Sequence, residues 1–472
     1  MQKEENRTKY LLKNTTIFAI SNLATKLITF FLVPLYTYCL TTKEYGIVDL
    51  LFTISTVLIP IITLNVVEAI YRFSMDKDAD NNKIVSIGTL MFLICIIIGL
   101  AVIPILNYFP DYSDYKFYFY FFLVTSAGYH IYSVNLKGQE KLKLFSIGNI
   151  LTTFISATLN IVFLKILKMK IEGYFIAYSI SYLIGMIFSI LGGKVINNIK
   201  HFTIDKKLFF KMAKYSVVLI PTSFMWWIMK ASDRVMLTYC SGLALNGIYA
   251  ISYKVPTILQ NLASIFNQAW VFSAVKQKDK DDNELYTNSI FRTLYFFMFL
   301  IACGLILILK PFFSIYVSKD YYVAWKYVPF LLIGTIFVTL GTFISSSYNA
   351  HKDSKGFLFS GLFGAIANII LNFALIPKFE AYGAAIATCV SYIIVFVYRL
   401  FDTRKYVKIH FSRDYLYPLL IITINCILVY FNNIYCYIIQ ILTITSFIVI
   451  YYKDWITPIK NIIKVIKKRK EK

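Results

Sequence analysis

Charged side chains are scarce in this sequence. Asp, Glu, Lys and Arg make up 15% of its 472 residues, against 58% hydrophobic and 18% aromatic residues. A soluble chain of this length needs roughly a quarter charged residues to solvate its surface, so a soluble globular protein is excluded. Acidic residues are fewer still, 25 against 48 basic ones. The seven cysteines (Cys39, Cys95, Cys240, Cys303, Cys389, Cys426 and Cys436) are scattered and form no C-x-x-C pair. The four histidines (His130, His201, His351 and His410) stand alone. Neither a disulfide framework nor a metal centre is indicated, and no cofactor is expected. Long polar loops are also missing. No connection on one side exceeds about a dozen residues, and the largest on the other, Ile196–Lys214, is under twenty. Nothing of that size houses a catalytic domain, and no acid/base pair or nucleophile constellation is evident. The chain is not expected to be an enzyme.

What is present is a succession of apolar runs of about 20 residues, each able to cross a ~30 Å hydrocarbon core. The pattern predicts an all-α polytopic membrane protein with fourteen spans, near 15–39, 45–69, 84–108, 116–136, 144–166, 173–194, 215–238, 245–272, 290–313, 326–349, 356–377, 382–401, 414–432 and 434–452. The first run is too long for a leader peptide and is followed by Lys43-Glu44 instead of a small-residue cleavage site, so it is expected to remain as the first span. Of the 48 Lys and Arg residues, 35 fall on the side of the N-terminus, 9 on the other, and four (Lys26, Lys230, Arg234, Lys254) inside spans. The positive-inside rule therefore predicts cytoplasmic termini. The net charge of +23 reads as topology and as attraction to anionic lipid, not as affinity for nucleic acid. The basic tail fits either a plain charged segment or, over Ile459–Lys472, an interfacial helix.

A weak internal repeat orders the spans. Thr37-Tyr38-Cys39 and Gly46-Ile47 recur as Thr238-Tyr239-Cys240 and Gly247-Ile248, offset by 201. Gly173 with Ser181-Tyr182 recurs as Gly383 with Ser391-Tyr392, offset by 210. Two six-helix lobes related by a pseudo-twofold along the membrane normal, plus two C-terminal helices, are the expected architecture. The expected boundaries are 1–196 (N-terminal lobe), 197–214 (inter-lobe loop), 215–404 (C-terminal lobe), 405–453 (extra spans) and 454–472 (basic tail).

Charges inside hydrocarbon-length helices are expensive and mark function by default. Tyr215–Gln268 holds Lys230, Asp233, Arg234 and Lys254, the last on a stripe with Thr257, Asn261, Ser264 and Gln268. The repeat-related first span places Asn22, Lys26 and Thr29 on one face, and the second carries Asp49, Thr53, Thr56 and Pro60. For the neutral groups, interhelical hydrogen bonding is an equally simple account. Asp233 either neutralises one neighbouring cation or leaves Arg234 for a ligand. The cations outnumber the carboxylates at membrane depth, so the inferred cavity is positive and its natural ligand an anion, with Arg suited to phosphate. Trp226-Trp227 fits a sugar platform or ordinary packing.

These residues resemble a known family. Ser232-Asp233-Arg234-Val235-Met236-Leu237, followed by Gly247-Ile248-Tyr249-Ala250, is similar to the start of the second half in polysaccharide-transporter (Wzx-like) flippases. Those flippases belong to the multidrug/oligosaccharidyl-lipid/polysaccharide exporter superfamily. Asn22-Leu23-Ala24-Thr25-Lys26, the run Thr37–Ile47 and Arg72 after Glu68-Ala69-Ile70-Tyr71 agree with it. The resemblance spans the whole chain. It implies a flippase in a bacterial cytoplasmic membrane that moves undecaprenyl-diphosphate-linked repeat units of O-antigen, capsule or similar polysaccharide to the outer leaflet. Lys26, Lys230, Arg234 and Lys254, with Asn22 and Asn261, are then expected to bind substrate, and Asp49 and Asp233 to couple an ion. Polymerase and chain-length proteins of the same pathway would be partners, besides membrane lipids. A lipid II flippase shares such a cavity. A multidrug/cation antiporter of the superfamily would want unpaired carboxylates instead.

Overall fold

The computed structural model describes residues 2–76, 78–196, 202–277 and 280–452, with side chains for all of these except 2–20, 222, 230, 268, 269, 272, 276 and 277. The basic tail, and with it the question of an interfacial helix, lies outside the described residues. Among the described residues the chain is helical almost throughout and has no strand. This follows from the apolar runs, because in hydrocarbon each backbone N–H and C=O must be satisfied within its own segment.

The helices that matter most for function lie in the first half. They are α1 (Gln2–Cys39), α2 (Thr42–Ile62), α3 (Val66–Ser74), α4 (Asn81–Gly99), α5 (Lys116–Gly138), α6 (Leu142–Asn160), α7 (Lys170–Gly192), α8 (Lys206–Ser241) and α9 (Leu243–Ser252). The second half contains α10 (Lys254–Gln277), α11 (Asn283–Leu307), α12 (Leu309–Tyr316), α13 (Val328–Ile344), α14 (Ser354–Asp402), α15 (Leu416–Leu428) and α16 (Ile434–Ile450). Seven stretches among the described residues are long and apolar enough to cross a membrane. One of them contains the whole of α14, which folds back at Glu380 (φ 49°, ψ −126°) and so supplies both spans predicted for 356–401. The helices that fall short of this measure include α1, α8 and α10, where the intramembrane charges and polar stripes lie.

The chain divides into two compact units, Met1–Ile248 and Tyr249–Lys472. In the first, α5 packs against α7, α3 and α4, and α1 against α6, while α8 lies on α2 and α3. One core runs through Ile70, Ile84, Ile87, Met91, Ile131 and Met212. The predicted second span is not continuous. It breaks after α2 at Leu64 and Asn65, both in left-handed backbone (φ 50° and 52°), with the Asn65 N–H turned back to the Pro60 carbonyl at 2.6 Å.

In the second unit α13 packs along α14, α10 along α13, and α11 against α15 and α16. Arg399, near the end of its predicted span and counted among the flanking basic residues, is 1% exposed inside α14. Its Nε–H donates to Ser360 Oγ and its Nη1–H to the Gly341 carbonyl, both at 3.0 Å. A buried guanidinium thus joins both arms of α14 to the end of α13. Beside it, Asp353 caps α14 by accepting the Gly356 N–H at 2.9 Å, and also accepts from Lys405 Nζ and the Tyr406 hydroxyl at 3.0 Å each. The Gly356 N–H first, then Lys405 and Tyr406, hold its carboxyl at about 2, below the usual 3.8. A depressed carboxyl contributes stability that is complete above the unfolded value and lost as pH falls through the folded one. Amide exchange at the start of α14 is therefore expected to stay slow at pH 5 and above and to accelerate below roughly pH 3. In Asp353→Asn the acid step should vanish.

Candidate functional site

The candidate site is built on α2. Thr41 and Glu44 start this helix as a capping box: the Thr41 hydroxyl accepts the Glu44 N–H at 3.3 Å and the Glu44 carboxylate the Thr41 N–H at 2.8 Å. That fixes the register of the next two turns. Gly46, Asp49 and Thr53, three and four residues apart, then share a face. On α8, Trp227, Arg234 and Thr238 are spaced by seven and four and share another.

The two faces meet. Arg234 Nη1–H reaches both oxygens of Asp49, at 2.8 and 3.0 Å, and Thr53 Oγ1 at 3.1 Å. The side chains of Arg234 and Asp49 are 18% and 11% exposed. One turn deeper, Trp227 Nε1–H donates to the Thr53 carbonyl at 3.2 Å, with Phe224 stacked on its ring. Trp227 therefore anchors α8 to α2. Asp233 is fully buried and accepts the Arg234 backbone N–H at 2.9 Å. The sequence leaves the partner of Arg234 open between Asp233 and a ligand. The structure provides a third group, Asp49, which lies 185 residues away.

Towards its start, α2 lies backbone to backbone against the first turn of α9. A Cβ on Gly46 would stand 1.9 Å from the Leu243 carbonyl oxygen, and one on Gly247 would stand 2.0 Å from the Thr42 carbonyl oxygen. The contact is reciprocal, since Thr42 and Leu243, like Gly46 and Gly247, are 201 residues apart. Asn246 adds a hydrogen bond to the Gly46 carbonyl at 3.2 Å. Only glycine permits this approach at either position.

The other expected residues are less concentrated. Asn22 and Lys26 lie one turn apart on α1, both half-buried. Lys254 and Asn261 lie seven residues apart on α10, also half-buried, in the second unit. The side chain of Lys230 lies outside the described residues. Further along α2, Ser55, Thr56 and Pro60 line a cavity of about 250 Å³ with Asn65, His130 and Tyr182. The predicted polar face of the second span is thus divided. Asp49 and Thr53 serve α8, while Thr56 and Pro60 serve this cavity. Thr53 and His130 are additions to the candidate set. Thr53 was visible on the stripe, whereas a lone histidine gave no signal.

Comparison with known proteins places the chain in a family. The family model described as "Polysaccharide biosynthesis protein" matches residues 11–272, more than half of the chain. The chain belongs to that family. A second model, "Lipid II flippase MurJ", matches residues 324–454. An uncharacterized membrane protein of Methanocaldococcus jannaschii, MJ1375, is 26% identical over 84% of this chain and 99% of its own. Among solved structures, a lipid II flippase MurJ in an inward closed conformation has a TM-score of 0.59 at 18% identity, covering 94% of this chain and all of its own. An inward-facing multidrug resistance MATE family transporter of the MOP superfamily has a TM-score of 0.64 at 10% identity, covering 82% and 97%. The fold is that of the MOP superfamily, and the protein is a multi-pass membrane protein.

Proposed function

We propose that this protein is a flippase for a lipid-linked precursor, an undecaprenyl-diphosphate-linked oligosaccharide destined for O-antigen, capsule or a similar surface polysaccharide. It moves the precursor from the inner to the outer leaflet of a bacterial cytoplasmic membrane by alternating access, with both termini cytoplasmic. The observation that carries this reading is the guanidinium of Arg234 held at membrane depth with its Nη1 against both oxygens of Asp49, and a second cation, Lys26, half-buried on α1. Buried charge is retained where it serves a substrate, and a planar guanidinium that already grips two oxygens suits a phosphate. Lys230 and Lys254, with Asn22 and Asn261, complete the proposed substrate set. Asp49 and Asp233 are the proposed ion-coupling pair.

A lipid II flippase is the second reading, favoured by the match of residues 324–454 to the MurJ family model. Proteoliposomes carrying fluorescent undecaprenyl-diphosphate-linked disaccharide, lipid II or an organic cation such as ethidium distinguish the three superfamily activities. Movement of the linked disaccharide is the expected result. Movement of lipid II alone favours the second reading, and movement of ethidium alone overturns both.

A further inference from the structure

Three contacts line up along one edge of α2. Starting from its N-terminal end, they are the reciprocal glycine contact with α9, the Asp49–Arg234 pair, and the Trp227 hydrogen bond to Thr53. They differ in kind. The glycine contact is steric, between backbone atoms, and the Trp227 bond joins two neutral groups. Only the middle contact is ionic, and only there does a partner of α2 have a chemical competitor. A diphosphate offers Arg234 the same pair of oxygens as Asp49, with more negative charge.

From this we infer that Asp49 is a strap displaced by the substrate. The headgroup diphosphate takes Arg234 from Asp49, α2 loses this charged tie to α8, and the Gly46–Gly247 contact beyond it parts, opening the outward end of the first unit. This rests on the phosphate-bearing substrate proposed above, and it adds the order of events. The gate yields to the ligand that must leave through it and stays shut when the site is empty. A ligand shifts such an equilibrium only by its differential affinity for the two states. Here that difference has a named origin, since the strapped state pairs Arg234 with Asp49 and the open state releases it from that carboxylate. A sugar without the diphosphate, or a lipid without charge, lacks the means to open the gate.

Thr238 gives a reporter. It lies one turn beyond Arg234 on the same face of α8, and its hydroxyl is buried. In a cysteine-free background, Thr238→Cys is treated with a membrane-impermeant maleimide. The ligands are farnesyl diphosphate and, as the uncharged control, farnesol, and calorimetry reports binding separately. Labelling is expected to be slow without ligand, to rise roughly tenfold or more with farnesyl diphosphate, and to be unchanged by farnesol. Adding Asp49→Asn should give the fast rate with no ligand. The exchanged pair Asp49→Arg/Arg234→Asp should return it to slow, which also shows that the fold tolerates changes here. Slow labelling in Asp49→Asn overturns the strap, as does calorimetric binding of farnesyl diphosphate with no change in rate. Absence of binding overturns the diphosphate reading itself while leaving the Asp49→Asn result to judge the strap.

Discussion

Arg234→Gln is expected to end export of surface glycan in a complementation assay and to destabilise the detergent-solubilised protein. Glutamine keeps a polar side chain of some length but cannot neutralise Asp49. The carboxylate, 11% exposed, loses the guanidinium that meets both of its oxygens. Breaking one side of a buried ion pair costs about 3–5 kcal/mol, and the residual exposure here places the loss near about 3 kcal/mol. The double variant Asp49→Asn/Arg234→Gln removes both charges together, so its thermal midpoint should recover most of that loss. Its export should remain absent, because the anion has lost its guanidinium. The two readouts therefore separate folding from function. Normal export by the stable double variant would end the case for a cationic site.

The second large effect concerns two glycines. Gly46→Ala puts a methyl group 1.9 Å from the Leu243 carbonyl oxygen, and Gly247→Ala puts one 2.0 Å from the Thr42 oxygen. Both obstacles are backbone, so no side chain can rotate away. Relieving either clash requires α2 and α9 to separate by more than 1 Å. Overpacking of this kind costs about 1–3 kcal/mol, and more where the backbone cannot yield. Each single variant should lose most of its export. Once one methyl has parted the helices the second meets little resistance, so the double variant should be no worse than the more severe single one, a non-additivity typical of residues in contact. Gly304→Ala and Gly361→Ala are the controls. Among the described residues, nothing outside the local helix backbone lies within 4 Å of a Cβ at either position, and alanine in a helix should stabilise by roughly 0.5–1 kcal/mol.

Much of this was legible in the sequence, for reasons that differ from residue to residue. Hydrocarbon-length apolar runs have few conformational choices, so the helices around Thr42–Ile62 or Asn283–Leu307 follow almost directly from composition. Asp49 and Arg234 were visible as anomalies, because a charge within such a run stands out. Their pairing was not, since it depends on how α2 and α8 turn towards each other across 185 residues. Local spacing pointed to Asp233 instead. Arg399 was hidden for the opposite reason. It sits near the end of its span, where a basic residue is the ordinary topological marker, and only packing shows its hydrogen bonds to Ser360 and Gly341. The break at Leu64–Asn65 has Pro60 as its nearest sequence signal, yet α8 runs through Pro221 without interruption. Proline permitted the break without specifying it.

The reciprocal glycine contact also bears on ancestry. Each repeat contributes a carbonyl and, four residues later, a glycine, and each element meets its counterpart in the other repeat. A half-length chain with one such segment would therefore carry both sides of the joint. Two copies of it could dock isologously, one glycine per chain serving both halves of the contact. Fusing two such genes would preserve the joint while freeing the rest of each copy to diverge. Outside this contact the two segments have done so: the capping box at Thr41 and Glu44 has no equivalent at Gly242 and Leu245, the positions 201 residues later.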